Sequence, residues 1–202
     1  MRGKIEVRAL VERHSGFSLT ELVVAIAVAL ILLSVGLPAF LRAYHSYELS
    51  SAANQVADIL RQTRYEAIRL NTPVQCIVQP SAANPGRTEL WADSNANGLL
   101  DPTEKMVLLG SGGDLVGSGT VPDTAGLITS AVGPIATTAP TPTGSRITFD
   151  QRGAVNPPTD VNVFYLASSA SPEAGFRAVF LLPAGSIQIW TGTALGNWQQ
   201  VR

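Results

Sequence analysis

The sequence is short of charge, cysteine and histidine, and each shortage closes a route. Charged residues make up 14% of its 202 residues, against about 25% in an ordinary soluble domain. Hydrophobic residues reach 46% and the mean hydropathy is +0.20, so either the core is large or part of the chain lies in a membrane. The single cysteine, Cys76, excludes an internal disulfide. His14 and His45 stand apart from any Cys or Asp/Glu cluster with zinc spacing. There is no G-x-S-x-G, H-E-x-x-H or phosphate-loop pattern, and no enzyme is expected. A formal net charge of −1 selects no partner by itself. The length suits one domain, or one domain with an appendage.

What is present is one long apolar run. Leu22 to Leu41 carries no charge and is interrupted only by Ser34, Gly36 and Pro38. As a helix these 20 residues would measure ~30 Å, enough for a bilayer core. The preceding segment, residues 1–16, holds Arg2, Lys4, Arg8 and Arg13 against Glu6 and Glu12, and it lacks the apolar region of a secretory signal peptide. Basic residues before the span and only Arg42 directly after it predict a cytoplasmic N-terminus, with the bulk of the chain on the far side of the membrane.

Glu21 is the anomaly, because a carboxylate at the edge of a spanning helix is costly and is a functional candidate by default. A plain account exists: Ser18-Leu19-Thr20-Glu21 fits a capping box, with Ser18 as N-cap and Glu21 bonding back to its N–H. That account does not explain Gly16-Phe17 just before it. Gly16-Phe17-Ser18-Leu19-Thr20-Glu21-Leu22 resembles the cleavage and methylation motif of type IV prepilins and type II secretion pseudopilins. The resemblance implies cleavage between Gly16 and Phe17 by a prepilin peptidase, removing 1–16 as a leader. It implies N-methylation of Phe17, pairing of Glu21 with the Phe17 amine of a neighbouring subunit during assembly, and a helix kink at Pro38. The leader carries a net +2, so its loss takes the chain from −1 to −3.

Beyond the transmembrane and assembly segment, 17–41, residues 42–72 read as the amphipathic half of the same helix. Leu49, Ala52, Ala53, Val56, Ile59, Leu60, Ala67 and Ile68 recur at spacings of three and four, and Asn71-Thr72-Pro73 ends the helix. From Pro73 the pattern changes to strands, at 74–79, 88–92, 105–109, 146–150, 161–167, 176–182, 187–191 and 198–201, with Pro183-Ala184-Gly185-Ser186 as a hairpin turn. A long helix followed by strands predicts an α+β fold, the helix packed against an antiparallel sheet in a β-rich domain at 73–202. Residues 110–145 are rich in Gly, Ser, Thr and Pro and read as a long surface insertion with at most one or two short strands. Ile147-Thr148-Phe149-Asp150-Gln151-Arg152-Gly153, Arg177-Ala178-Val179-Phe180 and Gly185-Ser186-Ile187 resemble looser elements of the GspH/FimT group of minor pilins.

One segment suggests chemistry of its own. Asp93 to Glu104 fits the calcium-loop pattern D-x-[DN]-x-[DN]-G-x5-E at every specified position. Asp93, Asn95, Asn97, the Leu99 carbonyl, Asp101 and a bidentate Glu104 would supply hard oxygens around Ca2+, and Gly98 the sharp turn. The flanks read as strands, so this would be a calcium-type loop in a hairpin and not an EF-hand, with affinity in the ~10⁻⁴–10⁻³ M range. The competing account is a polar loop whose Asp and Asn side chains cap their own backbone. Cys76 reads as buried filler, and Trp91, Trp190 and Trp198 as packing. Arg61, Arg64 and Arg69 read as a solvated helix face, and an acidic mature chain makes nucleic acid an unfavourable partner.

Three functions fit these residues. The first is a minor pseudopilin of a type II secretion system in the inner membrane, at or near the tip of a short periplasmic pseudopilus, with other pseudopilins as partners. The second is a minor type IV pilin of the FimT type, for pilus biogenesis or DNA uptake. The third is an uncleaved single-pass membrane protein with a periplasmic binding domain, in which Glu21 is only a cap. The first is preferred.

Overall fold

The computed structural model describes residues 17–110, 112–133, 135–141 and 144–201. The chain divides into two compact units between Phe40 and Leu41. Helix α1 (Leu19–Leu70) contributes to both. In the first unit every described residue is exposed. An 18-residue window of α1 has a mean hydropathy of 2.7, so the helix is long and apolar enough to cross a membrane. Pro38 lies inside the helix, where it removes one backbone donor.

In the second unit α1 carries a buried stripe, Leu49, Ala53, Val56, Leu60, Thr63 and Ala67, at alternating spacings of four and three. Ile68, expected on that stripe, is 48% exposed because it falls one step round from Ala67. The stop is a Schellman motif. Asn71 takes a left-handed φ of 52°, its N–H donates to Ile68 O, and the Thr72 N–H donates to Ala67 O, both at 3.3 Å.

Two sheets follow rather than the single sheet expected. The first has the order β3-β2-β1-β6-β7, built from β1 (Val74–Pro80), β2 (Thr88–Asp93), β3 (Met106–Leu108), β6 (Ser145–Phe149) and β7 (Val155–Asn156). The second has the order β11-β10-β9-β8-β4, from β4 (Asp114–Val116), β8 (Val161–Ala167), β9 (Phe176–Leu181), β10 (Ile187–Gly192) and β11 (Trp198–Val201). Within both orders all pairings are antiparallel. The short β5 (Thr137–Thr138) lies parallel to β8. The inner faces share one core with the helix stripe: Val74, Cys76 and Val78 of β1, Phe164 and Leu166 of β8, and Val179 and Leu181 of β9. Each such aliphatic or aromatic side chain contributes ~1.5–3 kcal/mol by leaving water.

Period-two alternation sends the next residues to the outer faces, and both faces are covered. On the second sheet Val163, Tyr165, Ala178 and Phe180 form a separate cluster with Val121 and Leu127. Those last two come from the segment read as a surface insertion. That reading is corrected: the segment holds β4, a turn of 3-10 helix at Ser118–Thr120, and helix α2 (Thr124–Val132). Asp123 caps α2 by accepting from the Gly126 N–H. On the first sheet Arg146, Ile77, Trp91 and Met106 stand in one cross-strand row. The β2–β3 connection folds back over this row, with Gly98 beside the Arg146 guanidinium. Ile77 and Trp91 are left 4% and 1% exposed.

Candidate functional site

Phe17 is 84% exposed at the start of the described segment, while Gly16 and the rest of the expected leader lie outside the described residues. Glu21 stands in the first turn of α1. The capping box is not formed. Ser18 Oγ pairs with Thr20 Oγ1 at 2.6 Å, the Ser18 carbonyl accepts from the Leu22 N–H, and Glu21 does not reach back. Among the described residues no group of the chain bonds the Glu21 carboxylate, which stands exposed at the edge of an apolar surface.

Two arginines fasten the sheets to α1 in the second unit. Arg177 on β9 is 4% exposed. It donates from Nε to Ser50 Oγ at 3.1 Å, from Nη2 to Ser46 Oγ at 2.9 Å and Ser46 O at 3.3 Å, and from Nη1 to Phe176 O at 2.9 Å. Burial pulls its pKa below the ordinary value. Arg64 donates from Nη1 to Gly185 O at 3.1 Å. Gly185, in the β9–β10 turn, has φ +78°, and a Cβ there would lie 2.1 Å from Gly153 O. The loose C-terminal motifs therefore converge on the helix, and Arg64 is a half-buried fastening rather than part of a solvated face. Arg61 and Arg69 do lie on that face, paired with Asp58 and Glu66. Both fastenings were missed in the sequence, although each carried a signal. Arg64 is four residues from Leu60 on the buried stripe, and Arg177 alternates with Val179 and Leu181 on the inward face of β9.

The β2–β3 loop has strand flanks, as its sequence suggests. Asp93, 1% exposed, accepts from the N–H groups of Asn97 at 3.2 Å and Gly98 at 2.8 Å. Glu104 accepts from the N–H groups of Ser94 at 2.8 Å and Asp101 at 3.1 Å. Asn95 and Asn97 donate their side-chain amides to Asp101 Oδ2 at 2.6 and 2.8 Å, and the Leu99 N–H donates to Asn97 Oδ1 at 2.7 Å. The oxygens suit calcium in kind, and in this arrangement they cap the loop's own backbone. Among the described residues no three His, Cys, Asp or Glu side chains are grouped as a metal site.

These elements can be set beside known proteins. A family model described as "Type II transport protein GspH" matches residues 52–185. The chain belongs to the GspH family. A second model, "Prokaryotic N-terminal methylation motif", matches residues 13–37, which contain Gly16, Phe17 and Glu21. Among solved structures, the type IV minor pilin FimU of Pseudomonas aeruginosa is similar in two crystal forms. In space group P65 it is 20% identical over 70% of this chain and 91% of that one, with a TM-score of 0.45. In space group P21 the figures are 19%, 71%, 88% and 0.46. No curated protein sequence matches. The chain thus joins a GspH-family domain to an N-terminal methylation motif, and its apolar N-terminal helix is consistent with membrane anchoring.

Other side chains of this GspH-family chain are structural. Cys76 is fully buried on β1, and burial pushes its thiol up to about 12. Trp91 and Trp190 are buried, and Trp198 packs on the outer cluster with its indole N–H on Pro122 O at 3.3 Å.

Proposed function

We propose that this chain is a minor pseudopilin of a type II secretion system, assembling at or near the tip of a short periplasmic pseudopilus. The carrying observation is Glu21: a carboxylate with no partner among the described residues, on an exposed apolar helix, within a matched N-terminal methylation motif. A charged side chain at the centre of a spanning helix costs ~2.5–3.5 kcal/mol on insertion scales, an upper bound for Glu21 at its edge, and a cation from outside the chain relieves that cost. Cleavage by a prepilin peptidase between Gly16 and Phe17 creates such a cation, the methylated amine of Phe17, on each neighbouring subunit. The basic residues before the span hold that end in the cytoplasm and put the globular unit in the periplasm. Pro38 supplies a bend in the assembled helix. The family's description as a type II transport protein is in keeping with the secretion reading. The work is assembly and contact rather than catalysis.

The test is a chromosomal deletion, complemented with wild type or with Glu21→Leu. Secreted enzyme activity is scored alongside pilus-dependent motility and transformation. Loss of secretion alone, restored by wild type and not by Glu21→Leu, is expected. Loss of motility or transformation with normal secretion would replace this reading with a minor type IV pilin. An unprocessed N-terminus at Met1 on the native protein would refute both.

A further inference from the structure

The second unit holds a cleft of about 240 Å3 that none of these features uses. It is lined by Tyr47, Glu48, Ser51 and Gln55 of α1, by Gly112, and by Arg87 of the β1–β2 connection. The backbone of Arg87 is anchored on both sides: its N–H donates to Asn84 O at 3.1 Å and its carbonyl accepts from the Ser81 N–H at 2.8 Å. Arg87 is half-buried, and its guanidinium has no hydrogen bond or ion pair among the described residues. Glu48 does not neutralise it. That carboxylate meets His45 Nδ1 at 3.3 Å and the Tyr44 phenol, whose pKa it raises by its charge and by that hydrogen bond. Gly112 packs directly on Glu48, where an added Cβ would come within 2.5 Å of Glu48 Cβ.

We propose that this cleft docks a carboxylate-bearing peptide segment of a neighbouring protein chain. An Asp or Glu side chain, or a C-terminus, would reach Arg87. The segment's own N–H groups would meet Glu48, Gln55 and the Ser51 hydroxyl. An uncompensated guanidinium matches a carboxylate in charge and in fork geometry. The volume is below the ~300–1,000 Å3 of small-molecule pockets and suits a side chain with its adjoining backbone. Nucleic acid fits less well, because the cleft is lined by a single arginine together with one glutamate, and a phosphate backbone needs a cluster of cations. That a neighbouring chain is at hand rests on the filament reading above.

The experiment uses the full chain in detergent micelles, titrated with a blocked pentapeptide having a central aspartate. Its asparagine analogue, sodium acetate and oligothymidylate are titrated in parallel. The aspartate peptide is expected to bind about tenfold more tightly than the analogue, and Arg87→Gln should abolish that difference. Arg152→Gln, an exposed arginine on the β6–β7 turn, should leave it unchanged. Equal binding of the two peptides, acetate binding as tightly as the peptide, or Arg87-dependent capture of oligothymidylate would each overturn the proposal. Binding in micelles needs no filament. A chain that captures peptide but serves neither secretion nor pili refutes the filament reading alone, and one that assembles but captures nothing refutes the cleft alone.

Discussion

Arg177 offers the sharpest test of how this fold is held together. Its guanidinium is 4% exposed and bonds only neutral oxygens, with no Asp or Glu among its partners. Three of its four bonds reach α1, at Ser46 and Ser50. Hydrogen bonds to a charged group contribute ~1.5–3 kcal/mol each, and burying an uncompensated cation costs several kcal/mol. Summed over the four bonds, the first term reaches ~6–12 kcal/mol and is the larger on paper. But half-buried Ser46 and Ser50 can take water when the arginine goes, and Ser50 Oγ already donates to Ser46 O at 2.9 Å, so the net is small. Arg177→Met keeps the length and the apolar stem and removes the charge, so it should cost no more than about 1 kcal/mol. Arg177→Lys keeps the buried charge and loses the fork, and should cost ~3–5 kcal/mol. The assay is thermal and urea denaturation of residues 41–202, which contain both core clusters entire. At ~2–4 °C per kcal/mol for a unit of this size, the Met variant should melt within about 4 °C of wild type and the Lys variant at least about 6 °C below it. A Lys variant that holds while the Met variant falls would show that the charge itself stabilises the fold, and would refute the reasoning.

Three further outcomes are expected. Gly185→Ala should cost more than ~2 kcal/mol by denaturation, since a Cβ at φ +78° meets Gly153 O at 2.1 Å. Gly86→Ala, at φ +82° with nothing within 4 Å, should cost only ~1–2 kcal/mol, and equal costs would remove the close approach as the cause. The Cys76 thiol is raised to about 12 from an ordinary 9.0, so above pH 9 the unfolded chain releases a proton that the folded one keeps. Stability is therefore full below that pH and should fall by ~1.4 kcal/mol per unit as pH rises from 9 toward 12. Cys76→Ala, measured in parallel, should lack this component, and parallel pH curves would contradict it. Calorimetry should detect Ca2+ binding at Asp93–Glu104 in the ~10⁻⁴–10⁻³ M range, abolished by Glu104→Gln; no heat at millimolar Ca2+ would leave the loop as a self-capped turn.

Much of the fold was legible because local signals and tertiary needs agreed. The stripe from Leu49 to Ala67 falls at helical spacing and meets the core, Asn71-Thr72-Pro73 stops the helix, and Pro183 to Ser186 turns β9 into β10. Helix α2 was hidden by composition. Thr, Ser, Gly and Ala suggest a loop, yet Asp123 caps the segment, Leu127 anchors it, and Gly133 follows its end. That helix forms because Val163, Tyr165 and Phe180 would otherwise face water on the outer side of the second sheet.

The sequence by itself determined the apolar helix, the motif around Gly16, Phe17 and Glu21, the helix-then-strands order and hence the family, because these depend on spacing along one chain. Only the tertiary structure decided that there are two sheets and that segments read as loops cover both outer faces. It also decided that Arg64 and Arg177 turn inward, Arg177 to the helix and Arg64 to the turn glycines, while Arg87 lines a cleft with no partner among the described residues. Those outcomes join residues as far apart as Ser46 and Arg177, and no periodicity along the chain reports which distant surfaces will meet.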